Sequence, residues 1–84
     1  MKKSTILIVD DELFFRRLYS ELLVDEAHVE TVGSAEEALA RLQQGGVDIV
    51  LTDMVMPELD GLELLRRSRS LDNPPDVILV TGHA

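Results

Sequence analysis

Ile6-Leu7-Ile8-Val9-Asp10-Asp11-Glu12 is the stretch that decides the fold. An unbroken apolar run, mostly β-branched, gives way at once to three acids. A strand buried on both faces reads this way, because a parallel sheet covered by helices leaves no solvent face to impose alternation. Ile49-Val50-Leu51 and Val77-Ile78-Leu79-Val80 have the same character. A weaker run, His28 to Val32, has Val29 and Val32 as its apolar positions and is expected at a sheet edge.

Helical patterns fill the intervals. Between Glu12 and Asp25, Phe14, Leu18 and Leu22 recur at every fourth position, with Phe15, Tyr19 and Leu23 beside them and Arg16, Arg17 and Glu21 between. Ser34-Ala35-Glu36-Glu37 has the form of a capping box. It opens a second helix striped by Ala38, Leu39 and Leu42 and stopped by Gly45-Gly46. A third pattern runs from Asp60 to Ser70, with Leu62, Leu64 and Leu65 apolar and Arg66, Arg67 and Arg69 outward, before Asn73-Pro74-Pro75 breaks it. The order β-α-β-α-β-α-β predicts an α/β fold, a parallel sheet with helices on both faces. The chain has 84 residues and makes at most one domain.

Composition narrows the function. Eight basic against sixteen acidic residues give a net charge of -8, which disfavours nucleic acid and anionic membranes as partners of this segment. No apolar run approaches the roughly 20 residues of a membrane span. The lack of cysteine removes disulfides and thiolate metal sites, and suits a cytoplasmic location.

In an open α/β sheet, ligands bind beyond the carboxyl ends of the strands. Asp10, Asp11 and Glu12 come after the first apolar run, Thr52 and Asp53 after the Ile49–Leu51 run, and Thr81-Gly82 after the last. Taken singly, Asp10-Asp11 reads equally well as a helix cap, Asp53 as a turn former and Thr81 as a strand end. All three at predicted strand ends point instead to one site. Asp10, Asp11 and Asp53 together would repel unless a proton or a cation intervened. An all-oxygen set with few carboxylates suits Mg2+, which shares its shell with phosphate, and a carboxylate can be the nucleophile that accepts a phosphoryl group. Thr81 is placed to offer its hydroxyl to that group.

ILIVDDE at residues 6–12, DMVMPELDG at residues 53–61 and the closing VILVTGHA resemble the receiver domain of bacterial two-component response regulators, the ending being similar to receivers of enhancer-binding transcriptional activators. The resemblance implies a flavodoxin-like sheet of strand order 2-1-3-4. It implies Asp53 as phosphoacceptor, and Asp10, Asp11, Asp53 and the Val55 backbone carbonyl as Mg2+ ligands, Asp10 directly or through water. Met56, Pro57, Asp60 and Gly61 would shape the loop, and Thr81 would be the switch hydroxyl. The implied phosphoryl donor is a sensor histidine kinase or phosphotransfer protein, with an output domain or partner under control. The domain would be a binding module with at most weak self-phosphorylation and autodephosphorylation, not a turnover enzyme.

Two departures from the family pattern matter. Residues 1–84 correspond to its N-terminal part, without the fourth helix, fifth strand and fifth helix. The family's phosphoryl-contacting lysine has no counterpart here, the only lysines being Lys2 and Lys3. The Val77–Val80 strand is then expected to be a bare edge open to homo-oligomer formation, and Phe14, Phe15 and Leu18 to be partly uncovered. The alternative function is a receiver remnant that pairs with partners without being phosphorylated. An aspartate-nucleophile phosphatase or mutase is disfavoured, because Val55 stands where a second acid would be needed.

Overall fold

The computed structural model describes residues 3–54 and 61–80. In chain order the elements are β1 (Thr5–Val9), α1 (Leu13–Leu23), β2 (His28–Val32), α2 (Ala35–Leu42), β3 (Ile49–Asp53), α3 (Gly61–Ser68) and β4 (Asp76–Val80). All strand pairs are parallel, and the sheet order is β2-β1-β3-β4. The four strands and three helices expected from the sequence are present, with the weak His28–Val32 run at one edge and the last strand at the other.

The sheet separates residues by parity. Leu7 and Val9 of β1, Val50 of β3 and Val77 of β4 pack with Ala35, Ala38 and Leu42 of α2 and Leu64 of α3. This is the main core, and small residues let α2 lie close: Ala35 and Ala38 are fully covered. The opposite face is covered unevenly. Ile8, Leu51 and Ile78 form one cross-strand row, in which Ile8 is 0% exposed, Leu51 half-buried and Ile78 51% exposed. The gradient arises from α1, which lies on β1 and β2 and leaves the β3–β4 half of its face open.

The apolar stripe of α1 does not face the sheet. Phe14, Leu18 and Leu22 recur like a buried stripe, yet they are 68%, 37% and 67% exposed. The flank turned to the sheet carries Phe15, Arg16, Tyr19, Ser20 and Leu23, all half-buried. A four-residue spacing fixes which residues share a face, not which face the sheet takes. The expected uncovering of Phe14 and Leu18 is observed, while Phe15 is partly covered. In α3, Leu64 is buried and Leu62 is 50% exposed, with Arg66 and Arg67 outward on Glu63 at 3.2 and 3.1 Å.

Local signals behave as chemistry demands. Ser34 Oγ accepts from the Glu37 amide at 3.1 Å, and Glu37 Oε2 accepts from the Gly33 amide at 3.0 Å, so the box closes one residue earlier than in its usual form. Gly45 and Gly46 adopt φ of 79° and 85°, where a side chain would be strained, and so end α2. Arg41 of α2 forks onto Glu30 of β2, Nε to Oε1 at 2.6 Å and Nη2 to Oε2 at 3.1 Å. This two-pronged pair ties the helix to the edge strand. The guanidinium hydrogen bond holds the Glu30 carboxyl below its usual range, against the opposing effect of burial.

A carboxyl depressed by folding stabilises the protein at pH values above its unfolded titration, and that contribution fades as pH falls through the folded value. Glu30→Gln is therefore expected to lower stability by about 1 kcal/mol at neutral pH. The difference from wild type should vanish in strong acid. Urea midpoints at neutral and acidic pH check both halves.

Candidate functional site

The carboxyl ends of β1 and β3 are adjacent, and the backbone ladder continues one residue past each strand. The Asp10 amide donates to the Val32 carbonyl at 3.2 Å, and the Met54 amide to the Val80 carbonyl at 3.0 Å. Asp10 thus sits on backbone tied to β2 and Asp53 on backbone tied to β4, and both are buried, at 1% and 9% exposure. Asp11, on the turn into α1, is exposed. One carboxylate oxygen from each of Asp10, Asp11 and Asp53 lies within 4.8 Å of the others.

Asp10 also has a local task. Its Oδ1 accepts from the Glu12 amide at 2.9 Å, an Asx-turn that leads the chain into α1. The capping reading of Asp10-Asp11 is not borne out: Glu12 occupies the cap position and gives no side-chain cap bond. The Asp10 carbonyl accepts from Arg16 Nη1 at 2.7 Å, which sets a cation beneath the acidic cluster. Sequence reasoning missed Arg16, since an arginine beside Phe14 and Leu18 looks like an outward residue. Only the rotation of α1 about its axis turns it inward.

Tyr19 is a second residue the sequence did not single out. It is half-buried, stacked on Phe15 with ring centroids 6.1 Å apart. Its hydroxyl is held above the ordinary phenol range, by burial first and then by the negative charges of Asp10 and Asp53. The phenol therefore lies within electrostatic reach of the cluster.

Gly61 opens α3 directly behind β3. A Cβ on it would meet the Asp53 carbonyl oxygen at 2.5 Å and Met54 Cα at 3.0 Å, both backbone atoms. The Gly61 amide donates to the Met54 carbonyl at 2.9 Å. Glycine is needed here for close approach, so that α3 can press its first residue against the segment carrying Asp53. Val55, Met56, Pro57, Asp60 and Thr81 lie outside the described residues.

The donor set fits a small hard cation. Opposite ligands of an octahedral Mg2+ are about 4.2 Å apart, given metal–oxygen distances near 2.1 Å. A spread of up to 4.8 Å suits direct contact by some of these oxygens and a bridging water for another.

Comparison with known proteins identifies the family. Residues 6–84 match the response regulator receiver domain. The chain belongs to that family. The receiver protein CpdR of Brucella abortus is 36% identical over 80 residues, covering 94% of this chain and 67% of that protein. A protein-glutamate methylesterase/protein-glutamine glutaminase of Trichodesmium erythraeum is 40% identical over 85 residues, covering 98% of this chain but 24% of that protein. The crystal structure of a receiver domain protein from Clostridium thermocellum superimposes with a TM-score of 0.87 at 34% identity, covering 96% of this chain and 67% of the other. The chain thus spans about a quarter of the length of the methylesterase relative. It is a two-component receiver with the flavodoxin-like strand order. Among the described residues, no helix is long and apolar enough to cross a membrane.

Gly61→Ala is expected to destabilise the receiver by roughly 1–3 kcal/mol, the usual cost of forcing overlap in a packed site. Amide chemical shifts should move at Asp53 and Met54 more than at Leu7 or Val50. Unmoved Asp53 and Met54 signals would overturn the close-approach argument.

Proposed function

We propose that this receiver accepts a phosphoryl group on Asp53 with Mg2+ bound beside it, taking the group from a sensor histidine kinase or phosphotransfer protein and thereby controlling an output domain or partner. The observation that carries this reading is the convergence of Asp10, Asp11 and Asp53 within 4.8 Å from two strand ends distant in sequence. Asp53 is the nucleophile: a carboxylate oxygen forms the new bond to phosphorus as the donor's bond to phosphorus breaks. Asp10 and Asp11 hold the cation with Asp53, and the Val55 carbonyl completes the protein ligands. When bound, Mg2+ offsets charge on the transferring group. Met56, Pro57, Asp60 and Gly61 shape the adjoining loop, and Thr81 is the switch hydroxyl. The domain acts in the cytoplasm as a signalling module, not as a turnover enzyme.

The rival reading, a remnant that is never phosphorylated, gains nothing from a carboxylate trio whose repulsion must be offset. Incubation with Mg2+ and acetyl phosphate should add the mass of one phosphoryl group. Beryllofluoride with Mg2+ should shift the Asp53 amide signal. Asp53→Asn should abolish both responses. A chain that folds, binds Mg2+ and responds to neither reagent would exclude the phosphoacceptor role.

A second copy of the chain is the further partner in this reading, at the open edge of β4. Ile78 is half exposed there and the strand's outer backbone faces no neighbouring strand in the described sheet. Sedimentation velocity is expected to show association that rises with concentration, and Ile78→Lys should suppress it. A monomer at all concentrations would refute this arrangement.

A further inference from the structure

The two flanks of α1 face different parts of the sheet. Arg16 and Ser20 lie on the β2 flank, bordering Thr31, and Arg16 Nη1 stands 3.1 Å from where a Cβ on Gly33 would be. Each residue of an α-helix turns about 100° from the last. Phe15 and Tyr19, each one position before Arg16 and Ser20, therefore fall on the other flank, toward β1 and β3, whose ends carry Asp10 and Asp53. Helical side chains lean toward the helix N-terminus, which here is the end next to Asp10 and Asp11. The Phe15 ring stacks on the Tyr19 ring, centroids 6.1 Å apart, on the same flank.

The Tyr19 hydroxyl makes no hydrogen bond among the described residues. A half-buried phenol usually finds a partner, and a phosphoryl group on Asp53 would bring three strong acceptor oxygens into this corner. Among the described residues, α1 covers β1 and β2 and leaves Ile78 of β4 exposed on the same face.

We propose that Tyr19 is a phosphoryl contact of this receiver: its hydroxyl, on the β3-facing flank of α1, donates a hydrogen bond to an oxygen of the group carried by Asp53. This rests on Asp53 being the acceptor. The role of Tyr19 is to retain and orient the group, and no bond is made or broken at the phenol. A neutral donor also avoids a strong ion pair that would occupy the carboxylates before the phosphoryl group arrives.

The chain contains one tyrosine and no tryptophan, so its intrinsic emission reports on this position alone. Beryllofluoride is the probe, added to the chain already saturated with Mg2+. Tyrosine emission of the wild type is expected to change on that addition, and Asp53→Asn should remove the change. Tyr19→Phe, which deletes only the hydroxyl, should weaken beryllofluoride binding, read by fluorine NMR, by roughly tenfold, as for loss of one charge-assisted hydrogen bond. Its Mg2+ affinity should stay within about twofold of wild type, since the contact is to the phosphoryl group and not to the ion. Unchanged beryllofluoride affinity in Tyr19→Phe, or wild-type emission unmoved while fluorine NMR shows beryllofluoride on Asp53, overturns the Tyr19 assignment and leaves the acceptor reading intact. If the wild type takes no beryllofluoride at all, both readings fall.

Discussion

Three carboxyl groups held within 4.8 Å of each other are the constraint around which this molecule is organised. Two unit charges about 4 Å apart repel by about 4 kcal/mol at the effective dielectric of a protein surface. That is a large part of the 5–15 kcal/mol or so that a typical domain has in hand. The backbone resists it through the parallel ladder, which runs on past the strands to fix Asp10 against Val32 and the residue after Asp53 against Val80. The main-chain anchors mean that the side chains can be crowded without the strands splaying. In the proposed reading, a cation offsets this repulsion and a phosphoryl group on Asp53 shares its shell.

The packing on either face serves this edge differently. Below the sheet, α2 and α3 close on Leu7, Val9 and Val50 and give the strands their rigidity. Gly61 lets α3 begin in contact with the backbone of Asp53. Above the sheet, α1 covers only the β1–β2 half. Its entry is set by the Asp10 Asx-turn and its rotation by Arg16, whose guanidinium reaches back to the Asp10 carbonyl. One acid thus serves the helix start through its side chain and the helix orientation through its carbonyl.

Much of the fold was legible from residues alone. The apolar runs were continuous where helices cover both faces, and Ser34 with Glu37, Gly45 and Gly46 marked the limits of α2 by local chemistry that needs no tertiary partner. Asp10, Asp11 and Asp53 were legible because topology places strand ends together and each acid lies at or just past the end of an apolar run. Phe14, Leu18 and Leu22 marked one face of α1 without saying which face the sheet takes, because an apolar period is indifferent to direction. Arg16 and Tyr19 carried no sequence signal at all.

By itself, the sequence determined the number, type and order of the elements, the acids available at the sheet's end and the glycines at the turns. These arise from short-range sterics and from the period of apolar residues, which neighbouring side chains alone can express. Only the tertiary structure decided how α1 is turned on the sheet, which half of that face it covers, and that Arg16 reaches back to the Asp10 carbonyl. Such choices depend on rigid-body packing of one element on another, where the energies of alternative rotations differ through contacts between residues far apart in the chain.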